Sequence, residues 1–333
     1  MITKEDIMMR IVDCQSHVFP GEYIEFLARN PGFPRAILDG EGFVIQWGDV
    51  QRFKLKRETY STRRKLVDMD RSGIGFALLS TNMPGPCSLP VDLGVPAARA
   101  LNDSLIGTME EHPERFGVLA GLPWNNPRAA VQEIERVHGL GACGVVLYSH
   151  IGGEPVDDAS FEPVYDRAEE LKMPIVLHPT VPTWAEAVKD HSMITMMALQ
   201  VDTSFALLRL ILGGVLDRHP GLRVVMPHAG GVLPYMMGRI EHQTEVLGRG
   251  REHITRSVAS YLEQVYFDIV SPSSHALRFV YDFSGADRLV FGTDHPWVDP
   301  RVFLDLVSAM DITREEKSRI LGGNARDLFH LVT

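Results

Sequence analysis

Four short stretches carry the residue types that hold cations and move protons. They are Ile11-Val-Asp-Cys-Gln-Ser-His-Val-Phe-Pro20, Pro174-Ile-Val-Leu-His178-Pro179, Val224-Val-Met-Pro-His228-Ala-Gly-Gly231 and Leu289-Val-Phe-Gly-Thr-Asp294-His-Pro296. Each is a short apolar run followed by His or Asp, and then by Pro or Gly. An imidazole or carboxylate at the end of a buried strand is costly unless it is paired or bound to a cation. Four such ends point to convergence on one site. In the first stretch the spacing predicts a strand ending at Asp13 and a polar turn beyond it. Residues two apart on an extended chain face the same side, so Gln15 and His17 are expected to look into one pocket.

The elements that must position these residues alternate along the chain. Strands are expected at about Arg10–Asp13, Phe76–Ser80, within Arg115–Leu122, and at Cys143–Tyr148, Pro174–Leu177, Arg223–Met226, Val265–Asp268 and Arg288–Phe291. Helices lie between most of them, with Ser61 or Thr62 as an N-cap, Gly73 as a stop, and a capping box at Thr313 and Glu316. Alternation of this kind implies a parallel sheet. Eight units in 333 residues favour an α/β fold of the closed (β/α)8 barrel type, as one domain over 1–333. A doubly wound open sheet is the alternative, but its phosphate-binding Gly fingerprint is missing from Cys14–Pro20. In a barrel the strand ends after units 1, 5, 6 and 8 share one face, so His17, His178, His228 and Asp294 would line one mouth. A long connection after strand 1, at about 21–60, reads as a functional loop or lid.

Composition narrows the partners. The net charge of −10 and pI near 5.7 argue against nucleic acid or an anionic membrane as the main partner. The cysteines, Cys14, Cys87 and Cys143, are odd in number and far apart, which suggests a reducing, cytoplasmic setting with no disulfide frame. The polar start is unlike a signal peptide, and no apolar run is expected to reach membrane-spanning length; even Phe205–Leu216 is broken by Arg209.

These residues, taken with Arg115-Phe116, His219-Pro220, Gly238-Arg239-Ile240 and Gly323-Asn324-Ala325, resemble the amidohydrolase superfamily. Within it the chain is similar to the branch of aminocarboxymuconate-semialdehyde decarboxylase. No single motif carries this; their order and spacing do. The resemblance implies a divalent metal, zinc first and manganese second. Its ligands would be His17, His178 and Asp294, with His228 polarising the substrate and either His228 or Asp294 handling the proton. It also implies a Glu or His at position 15, where this chain has Gln15. Three readings follow: a metal held with Gln15 as a weak ligand, a metal held only weakly, or a metal-poor relative without catalysis. The expected reaction is non-oxidative decarboxylation of a small carboxylated aromatic or unsaturated compound, with metal-dependent hydrolysis as the alternative. A homodimer or larger homo-oligomer is expected.

Other residues have ordinary explanations beside functional ones. Arg52 or Arg57 would suit capture of a carboxylate, although a basic run is usually a solvated face. His150 falls on the active face, and Trp297, Trp184 and Trp124 would wall a planar ligand or simply pack. His112 and His219 read as helix C-terminal caps. His295 either touches substrate or packs at a strand end.

Overall fold

The computed structural model describes residues 11–40 and 42–331. Eight parallel strands form one sheet in the order β1 (Val12–His17), β5 (Phe76–Ser80), β6 (Phe116–Gly121), β7 (Gly144–Tyr148), β10 (Ile175–His178), β11 (Val224–Met226), β12 (Val265–Asp268) and β13 (Leu289–Val290). Among the described residues, β13 is carried round to β1 by one bridge, Ser16 to His295. The result is a (β/α)8 barrel. Runs such as Gly-Val-Val-Leu-Tyr in β7 are buried at every position, as strands covered on both faces must be. A single hydrophobic core runs through barrel and helices.

The eight strands form near the positions the sequence predicts, with ends shifted by one residue at β7, β10, β11 and β13. Arg10, where the first strand is expected to start, lies outside the described residues. The end of that strand differs: β1 runs on to His17, and its register against β5 shifts between Asp13 and Ser16. A bulge of this kind re-aims side chains next to a site.

The stretch at 21–60 is not an open loop. It holds a helix, Gly21–Arg29, and a three-stranded antiparallel sheet of β2 (Arg35–Asp39), β3 (Gly42–Trp47) and β4 (Gln51–Lys56). A small ribbon, β8 (His150–Ile151) with β9 (Glu154–Pro155), follows β7. The helix Thr62–Ser72 opens on Ser61, whose hydroxyl accepts from Arg64 N–H, and stops at Gly73 with φ 74°. The capping box at Thr313 and Glu316 forms. Asn324 does not cap its helix; its amide donates to Ala286 O and Leu289 O, tying the last helix to the foot of β13.

Contrary to the sequence reading, one helical stretch, Asp190–Leu212, is long and apolar enough by composition to cross a membrane, with a mean hydropathy of 1.4. Over half of its apolar window, 56%, is buried inside the fold, which is the pattern of a helix packed on a core.

Candidate active site

His17 ends β1, His178 ends β10, and His228 and Asp294 lie just past β11 and β13. All four meet at the C-terminal mouth. His17 Nε2 stands 3.0 Å from Asp294 Oδ1, and His228 Nε2 stands 3.9 Å from Asp294 Oδ2. The His17 and His178 rings meet edge to face, 5.0 Å between centroids. The turns that deliver these groups are strained: φ is positive at His228 (57°), Ala229 (52°) and Asp294 (54°). Such backbone costs about 1–3 kcal/mol per residue and persists where the surroundings over-determine it. At Gly231 (φ 60°) a Cβ would fall 2.5 Å from Ser204 Oγ, so only glycine lets this turn lie against the helix Leu199–Leu212.

Hydrogen bonds fix the rings. His178 Nδ1 is 2.7 Å from Pro179 O, which only accepts, so Nδ1 carries the proton and Nε2 keeps its lone pair. His17 Nδ1 bonds with Ser80 Oγ at 3.1 Å. Burial, with the neighbouring His17, pushes His178 down to about 3, and burial also lowers His17. Both are therefore neutral imidazoles. Burial pushes Asp294 up, but the facing His17 and His228 outweigh it and hold the carboxyl well below the usual range. Burial lowers His228, but Asp294 more than offsets it, and the net shift is upward.

These donors suit a divalent cation: neutral imidazoles with a free Nε2, and one ionised carboxylate. The 3.0 Å contact of His17 Nε2 with Asp294 lacks hydrogen-bond alignment. It has the spacing of two donors that each sit about 2.0–2.2 Å from one ion. Gln15 is buried, and both atoms of its amide lack a hydrogen-bond partner. A buried polar group left unpaired costs about 1–3 kcal/mol. Among the described residues no three His, Cys, Asp or Glu side chains form a closed ligand set. The fit therefore lies in donor chemistry, pairwise spacing and the unpaired Gln15 amide.

The mouth opens into a cavity of about 250 Å³ lined by His178, His228, Asp294 and Trp297, with Gln51, Phe53, Asn82, Met83, Thr195, Leu199 and Gln200. A larger cavity of about 340 Å³ lies at the opposite end of the barrel, at Pro174, Leu222 and Arg223, where none of the four groups reaches. Trp297 thus reaches the pocket. Arg52 does not. It sits on β4 between Gln51 and Phe53, and the two-residue period that turns those inward turns Arg52 to solvent. Arg57 is exposed beyond the strand. His150 is not brought in either: its Nε2 pairs with Val181 O at 2.9 Å and its Nδ1 accepts from Gly153 N–H at 3.1 Å, which staples a loop.

Several groups stand behind the site, and for Asp268 and Asp13 the sequence showed only strand ends. Asp268 ends β12, and its Oδ1 accepts from Ala229 N–H and Val270 N–H, holding the His228 turn; burial pushes its carboxyl up to about 6. Asp13 accepts from Thr293 at both N–H and hydroxyl and from Gln15 N–H, joining the first and last strand ends. His295 is buried and faces Lys65 and Asp68, not the pocket. His219 is buried between Glu162 and Glu169 as well as ending a short helix.

The sequence profile of the amidohydrolase family matches residues 12–331. The chain is 31% identical over 316 residues to a gamma-resorcylate decarboxylase of Rhizobium radiobacter, covering 90% of this chain and 95% of that one. It is 27% identical over 279 residues to the 2-amino-3-carboxymuconate-6-semialdehyde decarboxylase of Dictyostelium discoideum, covering 80% of this chain and 76% of that one. Among solved structures it superposes on a dihydroxybenzoic acid decarboxylase from Polaromonas sp. JS666 with bound manganese and the inhibitor 2-nitroresorcinol. The TM-score there is 0.80 and the identity 26%, over 96% of this chain and 97% of that one. With its eight-stranded barrel and its polar strand ends at one mouth, the chain belongs to the amidohydrolase family, in the branch of the aminocarboxymuconate-semialdehyde decarboxylases.

Proposed function

We infer that this chain is a carboxy-lyase that removes carbon dioxide, without oxidation, from a small carboxylated aromatic compound. The observation that carries this is the Asp294–His228 pair in a 250 Å³ pocket that His178 also lines, with His17 packed behind against Asp294. Of the matched relatives, one is a decarboxylase of the aromatic acid gamma-resorcylate and the other of an open-chain unsaturated acid, 2-amino-3-carboxymuconate-6-semialdehyde. The ligands assigned to a divalent ion are His17, His178 and Asp294, with Gln15 Oε1 as a weak fourth. When bound, the ion would neutralise the substrate's carboxylate and an adjacent oxygen and stabilise negative charge as the C–C bond breaks. Manganese is the first ion to test, because the Polaromonas structure carries it; zinc is the second.

The chain's own residues do the rest. Phe53 and Trp297, whose rings lie edge to face 5.8 Å apart, wall the pocket for a planar ring. Gln51, Asn82, Gln200 and Thr195 offer neutral hydrogen bonds to its hydroxyl groups. The proton that replaces carbon dioxide is held at His228 Nε2, beside Asp294 Oδ2, and passes to the ring carbon.

The test is incubation of the manganese-loaded chain with 2,6-dihydroxybenzoate and related hydroxybenzoates in D2O, with heavy-oxygen water in a parallel run. The expected result is carbon dioxide and a phenol carrying one deuterium at the vacated carbon. No carbon dioxide and no deuterated phenol from any of these acids would overturn the carboxy-lyase, and heavy oxygen found in the products of small aromatic esters or amides run in parallel would assign the hydrolase instead.

A further inference from the structure

The weakest join in the barrel lies between the two strands that carry most of the ligands. Among the described residues, β1 and the segment after β13 share one bridge and two backbone hydrogen bonds, Cys14 N–H to Phe291 O and His17 N–H to His295 O. Side chains reinforce this seam. The helix Thr62–Ser72 turns Lys65 inward, where it is only 1% exposed. Its ammonium donates to Ser16 Oγ at 2.7 Å and to His295 Nδ1 at 2.8 Å, and lies 3.5 Å from His295 O. Since His295 Nδ1 accepts, its Nε2 carries the hydrogen and donates to Asp68 Oδ2 at 3.1 Å. Asp68 is in turn held by Arg64 at 2.7 Å.

Lys65 therefore grips two residues that each adjoin a ligand in the chain: Ser16, between Gln15 and His17, and His295, next to Asp294. A buried amino group is a costly device here: burial pulls Lys65 down to about 7 against the opposing pull of Asp13, Asp68 and Asp294, and its hydrogen-bond partners are a hydroxyl and an imidazole. An apolar side chain of the same length would fill the space at lower cost. The long helix-to-seam reach has no counterpart in backbone pairing, and it ends where ligand spacing is decided.

We propose that Lys65 is a positioning residue, which fixes His17 and Asp294 at the spacing that binds the divalent ion by clamping the ends of the first and last barrel strands together. This rests on the reading of His17, His178 and Asp294 as ligands. Lys65 touches neither ion nor substrate; it acts through Ser16 and His295.

The experiment compares the unaltered chain with Lys65→Met, which keeps side-chain length and removes the donors. Metal-free protein is titrated with Mn2+, and free ion is followed by its electron paramagnetic resonance signal; melting of the metal-free protein and kcat at rising Mn2+ are measured alongside. The expected result is a melting temperature unchanged or raised, Mn2+ affinity lower by about 10–100-fold, and kcat largely restored at saturating Mn2+. Unchanged affinity overturns the proposal, as does lost turnover that saturating Mn2+ leaves unrestored. If Lys65→Met does not fold, Ser16→Ala decides: it removes one acceptor and should weaken Mn2+ binding in the same direction, and full affinity there also overturns the clamp. An unaltered chain that takes up no Mn2+ overturns the ligand reading and the clamp together. Tight binding by parent and variants alike overturns the clamp alone.

Discussion

Gln15 carries a neutral amide, buried and unpaired, and on the proposed reading it joins two neutral imidazoles and one carboxylate as a donor. A divalent ion there keeps one net positive charge. That residual charge strengthens its pull on an anionic substrate, while the amide is a weaker ligand than a carboxylate. Gln15→Glu, the same shape with a charge added, should therefore hold Mn2+ more tightly, by about 10-fold or more, with turnover changed. Mild chelation should strip the unaltered chain first and the variant later, as read by metal per chain. Asp294→Asn removes the carboxylate that faces His228 and that the proposal assigns to the ion, so turnover should fall by at least about 100-fold. Full turnover in protein shown to be free of metal would defeat the assignment. These residues were legible in the sequence because each ends an apolar run in a strand-forming context. Lys65 was not, and Asp13 and Asp268, legible as strand ends, gave no sign of the backbone groups they hold. Lys65 sits in a helix whose pattern is otherwise ordinary, and its partners Ser16 and His295 lie 49 and 230 positions away. Only the fold makes them neighbours.

At the scale of elements, the sheet β2–β4 decides the pocket's outer wall. It was legible only as a long connection, because its strands are short and interrupted, and its helix is just Gly21–Arg29. The signal was nonetheless present in Gln51-Arg-Phe-Lys-Leu-Lys56, where Phe53 and Leu55 alternate with Arg52, Lys54 and Lys56. Read by period two, the basic residues are the solvent face of an edge strand, a placement that blocks further strand pairing. The sheet is fastened by ring contacts running Trp47–Phe53–Trp297–Tyr60–Phe19–Phe43, each 5.0–6.0 Å between centroids. Such pairs add roughly 0.5–1.5 kcal/mol each beyond their burial, so the sheet is a braced wall. Phe53→Ala should raise KM for an aromatic acid about 5- to 30-fold, the equivalent of one to two kcal/mol, with a smaller effect on kcat. Arg52→Ala should leave both constants unchanged. Steady-state kinetics on the two variants separates them, and a KM effect at Arg52 alone would reverse the assignment of faces.

At the scale of the molecule, the barrel was legible because a parallel strand buried on both faces leaves an apolar run that turns and caps delimit. Its surface was not, since exposure depends on which helix faces find a neighbour. After folding, large apolar side chains remain exposed on neighbouring helices: Met196 at 74%, Met197 at 61%, Phe205 at 56% and Tyr235 at 82%. The helix Leu199–Leu212 packs on Leu233–Glu241, so Phe205 and Tyr235 are carried by adjoining elements, close to the pocket residues Leu199 and Gln200. Large exposed apolar side chains, where they form one surface, mark association more often than solvation. A second copy of this chain is the partner we propose for it. Two chains of net charge −10 repel, so pairing must come from apolar burial, and a stable pair needs roughly 1,200–2,000 Å² of buried surface. Added salt screens the repulsion and should strengthen the pair. Light scattering coupled to size exclusion should therefore give at least twice the 37.2 kDa chain mass, with Met196→Asp and Tyr235→Asp together shifting it towards the single chain. A single-chain mass for the unaltered protein at micromolar concentration, at low and at physiological salt, would reject the pairing and leave the apolar helix faces without an occupant.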